Sequence, residues 1–398
     1  MINFNFKENF FDTLHSRENT GSVKYNLRGK ILSEELIPMW IADMDFQSPP
    51  AVIHAMTAVS EHGIFGYTDT DESYDAALCN WYYRRMGWKI NPSWNIKTPG
   101  IMFGIAASLR ALTEQSDSVL ICQPVYYPFA KIILSNKRQP VVSELRLIDG
   151  RYEFDFEDIE RKIVSNSIKL FLLCSPHNPV GRVWTRKELQ EIGRICVKHG
   201  VYIVSDEIHS DFIYDGNNHI PIASVSDEVS ERTITCTSPT KTFNLAGLQA
   251  ANILVANEAL RNKIQEACLA TGYSYLNTMA IAATKAAYQH GEVWLNELLA
   301  YLQGNITILR NALLKLSGIS LIQPEGTYLI WLDCRKLGLT AAELETLFLE
   351  KAGVWLHNGS TFGSGGSGFM RMNIACPSSV LITATRRIFQ ALKSITIG

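Results

Sequence analysis

Between about residues 117 and 256 the chain repeats one unit: a short apolar run, a turn, a charged amphipathic stretch, then another apolar run. A strand that is apolar along its whole length must be covered on both faces, and alternating β and α units supply that cover with helices. The runs "DSVLIC" (117–122), "QPVVSEL" (139–145), "IKLFLLCS" (168–175), "GVYIVSDE" (200–207), "RTITCTS" (232–238) and "AANILVA" (250–256) read as strands. "TRKELQEIGRICVKHG" (185–200) reads as a helix, with Thr185 and Glu188 forming a capping box and Gly200 stopping it. The expected class is α/β, with a mostly parallel sheet between two helical layers.

After about residue 257 the rhythm gives way to long helical stretches, "MAIAATKAAYQHGEVWLNELLAYLQGNITILRNALLKL" among them. A shorter α+β segment with the strand "TYLIWLDC" follows, and "SVLITATRRIFQALKSI" closes the chain as a helix. At 398 residues the chain exceeds the ~250 to 300 at which single cores stop growing, so a second, smaller C-terminal domain is expected. We place an N-terminal segment at 1–50, a large domain at 51–288 and a small domain at 289–398.

A net charge of −2 leaves no basic footprint for nucleic acid or an anionic membrane, and no apolar run reaches the ~18 residues that span a bilayer. The eight cysteines are scattered, without a C-x-x-C pair or histidines at metal-ligand spacing, which fits a reducing cytoplasm and gives no metal site. A small-molecule partner is expected.

In an open parallel sheet ligands bind beyond the carboxyl ends of the strands, which directs attention to polar residues just after apolar runs. Asp206 ends "VYIVSD"; it caps a turn or meets a cation, since burial alone would neutralise it. Lys241, in "SPTKTFNLAG", would alone be read as a solvated surface residue. The hydroxyls of Ser238 and Thr240 and the small apolar residues after it fit instead a pocket wall, where an amine loses its proton more easily. The junction "TPGIMFGIAASLRAL" either turns into a core helix or offers its first amides to an anion. Asn178 in "HNPVG" initiates a turn, and Tyr126 in "QPVYYPF" is a core aromatic, unless a ligand employs them. Arg371 is a lone charge in the apolar run "GFMRMNIACP" and needs a carboxylate partner from protein or ligand. Taken together, these residues supply a lysine for an aldehyde, a carboxylate for a ring nitrogen, an anion site for a phosphate and an arginine for a substrate carboxylate. That set matches pyridoxal phosphate chemistry.

The motifs "IPMWIADMDFQSPP", "HGIFGYTD", "LLCSPHNPVGRVWT", "HGVYIVSDEIHSD", "SPTKTFNLAGLQ" and "GSTFGSGGSGFMRMNIACP" span nearly the whole chain. With them the sequence resembles the fold-type I pyridoxal phosphate enzymes, the aspartate aminotransferase superfamily, and within it the MalY/PatB group of cystathionine β-lyases. The resemblance implies a seven-stranded, mostly parallel sheet sandwiched by helices. It implies that Lys241 carries the cofactor as a Schiff base, Asp206 pairs with its ring nitrogen, Asn178 bonds its phenolic oxygen and Tyr126 stacks on its ring. It assigns the phosphate to the amides of Ile101 and Met102 with Ser238 and Thr240, and to Tyr67 of the other subunit of a homodimer. Arg371, with Asn178 and Ala42, would hold the substrate. Where aminotransferases often carry an arginine eight residues after the lysine, this chain has Gln249; where they often carry a tyrosine three residues after the aspartate, it has His209, counted here among the cofactor contacts. Both departures favour the lyase branch.

The resemblance therefore implies α,β-elimination of L-cystathionine or a related cysteine S-conjugate to thiol, pyruvate and ammonia. An aminotransferase is the alternative on the same fold. A MalY-like regulatory protein acting through protein contact is the second, by analogy alone.

Overall fold

The structure, a computed structural model, describes residues 10–26, 36–214 and 216–396. Its main sheet has seven strands: β1 (Asn95–Thr98), β2 (Ser118–Gln123), β3 (Gln139–Glu144), β4 (Leu170–Cys174), β5 (Tyr202–Asp206), β6 (Thr233–Thr237) and β7 (Ala251–Leu254), in the order β1-β7-β6-β5-β4-β2-β3. Pairing is parallel from β3 to β6, and β7 runs antiparallel to both β6 and β1. Alternate residues feed separate cores on the two faces. Leu120, Phe171, Leu173 and Ile203 enter one, and Val119, Ile121, Leu170, Leu172 and Val204 the other. Full burial of each such side chain contributes roughly 1.5–3 kcal/mol, which is why runs like "LFLLC" specify a strand covered on both faces.

Six of the seven strands match the apolar runs read from the sequence within about two residues. The seventh, β1, reads "NIKT" with one apolar residue, Ile96, so hydrophobic periodicity passes over it. The helix Arg186–His199 has the expected capping box, and Gly200 ends it at φ 70°. The long helical stretch after residue 278 is, however, two helices, Thr278–His290 and Glu292–Leu313. Gly291 stands between them, and only glycine fits there, since a Cβ would lie 2.4 Å from Phe243 Cε1 and 2.5 Å from the Ala287 carbonyl. The notch receives Phe243, two residues beyond Lys241.

A second sheet, antiparallel throughout, contains β8 (Ser320–Leu321), β9 (Leu329–Asp333), β10 (His357–Asn358) and β11 (Phe369–Asn373) in the order β8-β9-β11-β10. The helix Ser378–Thr396 follows it. One apolar cluster runs from Trp81 and Phe243 through Trp294 to Leu329 and Met370, joining this sheet to the lysine loop. Residues 40–46 cross the same junction as an irregular, bent segment, with the Asp43 amide donating to the Ile41 carbonyl at 2.9 Å, and are strapped by side chains from both sides. Asn373 Nδ2 donates to the carbonyls of Ile41 (2.7 Å) and Asp43 (2.8 Å), and Asn244 Nδ2 to those of Met44 (3.1 Å) and Phe46 (2.9 Å). Lys24, fully buried, adds a 2.7 Å ion pair to Asp45 and a 3.0 Å bond to the Asp43 carbonyl. Among the described residues no helix is long and apolar enough to cross a membrane.

Candidate active site

The parallel strands β4, β5 and β6 end side by side, with Cys174 paired to Asp206 and Asp206 to Cys236. The loops that follow them enclose a cavity of ≈ 490 Å³. Asp206 is the last residue of β5 and is buried; its Oδ1 accepts from the Ile208 amide at 3.2 Å. Burial raises its carboxyl to about 7, against the opposing field of Lys241. With no cation bonded to it among the described residues, this carboxyl is poised to ionise when one arrives.

Lys241 lies in the short helix Pro239–Thr242 that β6 leads into, with Ser238 as N-cap accepting from the Thr240 amide at 3.0 Å. Its Nζ reaches into the cavity and donates to the Ala42 carbonyl at 2.5 Å. Burial lowers its pKa to about 8, partly opposed by the charge of Asp43. A substantial fraction of the amine is therefore neutral near pH 7–8, unlike a surface lysine.

Arg371 enters from β11 of the second sheet and is 3% exposed. Nη1 donates to Asn178 Oδ1 (3.0 Å) and Nη2 to the Trp40 carbonyl (2.8 Å), while the guanidinium lies 4.8 Å from the Phe362 ring centre. Nε has no partner among the described residues. Every acceptor is neutral, and burial lowers the pKa of the group to about 10. The carboxylate that the sequence demands is thus not a protein one among the described residues, which leaves a ligand to supply it.

Opposite these groups the helix Ile101–Leu112 points its N-terminus at the cavity, with Pro99, Gly100, Ile101 and Met102 on the wall. Its first amides lack intrahelical acceptors and belong to residues that line the same cavity as Thr240, an arrangement suited to an anion. Tyr126 and Asn178 also line the cavity, and so does His209, whose Nδ1 is buried without a partner among the described residues.

A model of the aminotransferase class I and II family matches residues 34–388. The chain belongs to that family. Cystathionine beta-lyase PatB of Bacillus subtilis (strain 168) is 41% identical over 384 residues, which cover 96% of this chain and 99% of that protein. Cystalysin from Treponema denticola, solved with a pyridoxal 5′-phosphate cofactor, superposes with a TM-score of 0.94 at 35% identity, covering 97% of this chain and 99% of that one. The pyridoxal-phosphate-bound C–S lyase from Staphylococcus hominis superposes with a TM-score of 0.90 at 32% identity, covering 98% of each chain.

Ten of the twelve site residues expected from the sequence line this one cavity: Ala42, Ile101, Met102, Tyr126, Asn178, Asp206, His209, Thr240, Lys241 and Arg371. Ser238 does not; its hydroxyl donates to the Ala250 carbonyl and shares a 2.6 Å bond with the Thr240 hydroxyl, so it braces Thr240 from behind. Tyr67 is fully exposed and lies off the cavity of its own chain. Gln249, at φ 53°, lines the cavity where many members of the family place an arginine. Sequence reasoning read Tyr127, like Tyr126, as a core aromatic and passed over Trp40 and His357; the three form the wall beside Arg371. Trp40 stands in a quoted motif, but nothing in that motif says which of its residues face inward, and His357 lies in a two-residue strand with no periodicity to read.

Proposed function

We propose that this member of the aminotransferase class I and II family is a pyridoxal-phosphate-dependent carbon–sulfur β-lyase. It cleaves the Cβ–S bond of L-cystathionine or a related cysteine S-conjugate to give a thiol, pyruvate and ammonia. The names of PatB and of the S. hominis enzyme support that reaction class. The observation that carries the reading is a half-buried, partly neutral lysine sharing one cavity with an arginine that has no anionic partner among the described residues.

The residues fit the cofactor. Lys241 would hold its aldehyde carbon, Asp206 its ring nitrogen, and the Ile101 and Met102 amides with Thr240 its phosphate. Asn178 has its Oδ1 committed to Arg371, which leaves the Nδ2 amide to donate to the phenolic oxygen. When bound, the group supplies an electron sink for negative charge developing at the Cα of an amino acid. In the proposed division of the chain, residues 51–288 hold the cofactor and 289–398 bring Arg371 to the substrate.

Arg371 fixes the α-carboxylate and thereby the position of Cα. Once the substrate's amine had replaced it on the cofactor, Lys241 Nζ would be free to take the Cα proton as general base, a role suited to its lowered pKa. The C–H electron pair forms the Cα=Cβ bond as the Cβ–S pair leaves with sulfur. Lys241 can then return the proton to the thiolate, and the released enamine takes up water to give pyruvate and ammonia. A second copy of the chain would complete the site, since Tyr67 is exposed together with Ile64 and Phe65 in one short segment.

Anaerobic incubation of the holoenzyme with L-cystathionine tests the reading. Pyruvate and homocysteine should form in equal amounts without any added 2-oxo acid acceptor. Strict dependence on such an acceptor would replace the lyase with an aminotransferase.

A further inference from the structure

The wall beside Arg371 contains one group with no part in the chemistry above. The strand β10 pairs with β11 so that His357 stands directly opposite Arg371. Side chains at paired positions project from the same face of a sheet, and His357 Nδ1 lies 3.5 Å from Arg371 Nη2. Arginine has donors only, so a bond between them requires the lone pair on Nδ1 and the imidazole proton on Nε2. Burial first, and the Arg371 charge second, keep the ring neutral against a hydrogen bond to the Trp40 backbone, which favours its protonated form. The ring is held by packing: its centre is 4.9 Å from that of Phe362, 5.3 Å from Tyr127 and 6.3 Å from Trp40. Phe362 touches both partners, since its ring also lies under the guanidinium.

We propose that His357 is a positioning residue for substrate binding, a neutral acceptor that orients the Arg371 guanidinium while leaving its charge undivided for the carboxylate of an amino acid. A carboxylate at 357 would do the reverse, closing an ion pair with Arg371 and competing with the ligand. The inference rests on Arg371 being the carboxylate clamp.

The holoenzymes of His357→Leu, His357→Asn and His357→Glu are compared for L-cystathionine turnover and for spectral titration with L-alanine, which has no leaving group. Loss of one bond to a charged group raises KM and the L-alanine Kd roughly tenfold in His357→Leu, with kcat within about twofold. His357→Asn, which keeps a neutral acceptor, stays within about threefold of the parent, and His357→Glu is weakest of the three, about tenfold or more beyond His357→Asn. In an Arg371→Leu background, His357→Leu adds less than about twofold, because the group it orients is gone. Should His357→Leu fail to accumulate, the Asn and Glu variants decide by themselves, and equal L-alanine affinity in those two overturns the proposal. So does an effect of His357→Leu that multiplies undiminished with Arg371→Leu. If Arg371→Leu alone leaves KM and Kd unchanged, the clamp reading fails and the role of His357 falls with it; if only the His357 variants are silent, the clamp stands without it.

Discussion

Replacing Arg371 by leucine should separate stability from function in a way that a paired arginine would not. The guanidinium is 3% exposed with neutral acceptors only, and burial brings its pKa down to about 10. A base whose pKa falls on folding holds its proton less tightly in the folded chain. The resulting penalty is fully present below pH 10 and fades only as pH rises through 10 toward the ordinary arginine range. At pH 7–8 it costs the cofactor-free protein about 3 kcal/mol, at roughly 1.4 kcal/mol per pH unit of depression. Leucine removes that cost, while the acceptors on Asn178 and Trp40 each lose a donor worth about 1 kcal/mol and the Phe362 contact loses a similar amount. The two sides nearly cancel, so Arg371→Leu should change the stability of the cofactor-free protein by less than about 2 kcal/mol, against about 3–5 kcal/mol for breaking a buried ion pair. Substrate binding should lose about 2–5 kcal/mol, raising KM by about 30-fold to a few thousand-fold. Urea denaturation midpoints of the cofactor-free proteins and steady-state kinetics of the holoenzymes read the two quantities. Destabilisation beyond about 3 kcal/mol would mean that the guanidinium has a protein counter-ion; a KM within about fivefold of the parent would mean that the substrate carboxylate binds elsewhere.

Asp206→Asn should alter the pH dependence of the cofactor-free protein. An acid whose pKa rises on folding destabilises increasingly from the ordinary carboxyl range up to its folded pKa, here about 7. The variant should therefore gain on the parent between pH 5 and pH 8, by about 3 kcal/mol, while its affinity for pyridoxal phosphate falls. Parallel melting curves at the two pH values would refute the burial argument. Tyr67→Ala and Lys241→Ala, each much less active alone, should regain about a quarter of parental activity when unfolded, mixed and refolded together, because half the dimers then carry one intact site. Activity equal to the mean of the two parents would remove Tyr67 from the partner's site.

The parts of the site that could be read from the sequence are those whose positions follow from local rules. Asp206, Asn178 and Lys241 stand just after parallel strands, where the sheet topology itself puts ligands. Arg371 could be read because one charge in an apolar strand requires a partner, although the sequence could not say that its protein partners would all be neutral. His357 and Trp40 could not be placed, because they reach Arg371 through strand register and a strapped loop, neither of which leaves a periodic trace. Ser238 shows the opposite limit: the right residue type in the right loop spends its hydroxyl on the backbone. The break at Gly291 is likewise invisible beforehand, since only the packed position of Phe243 shows why a side chain is excluded there.

The strapped segment at residues 40–46 also sets a timetable for biosynthesis. The Ala42 carbonyl meets Lys241 across 199 residues of chain, and the Trp40 carbonyl meets Arg371 across 331. Asn373, which holds two carbonyls of that segment, lies two residues farther along. Chain emerging from the ribosome can pair β4, β5 and β6 while the segment beside Lys241 still lacks the straps from Arg371 and Asn373. Closure of this pocket therefore waits until residue 371 has emerged, and pairings this remote are slow to find.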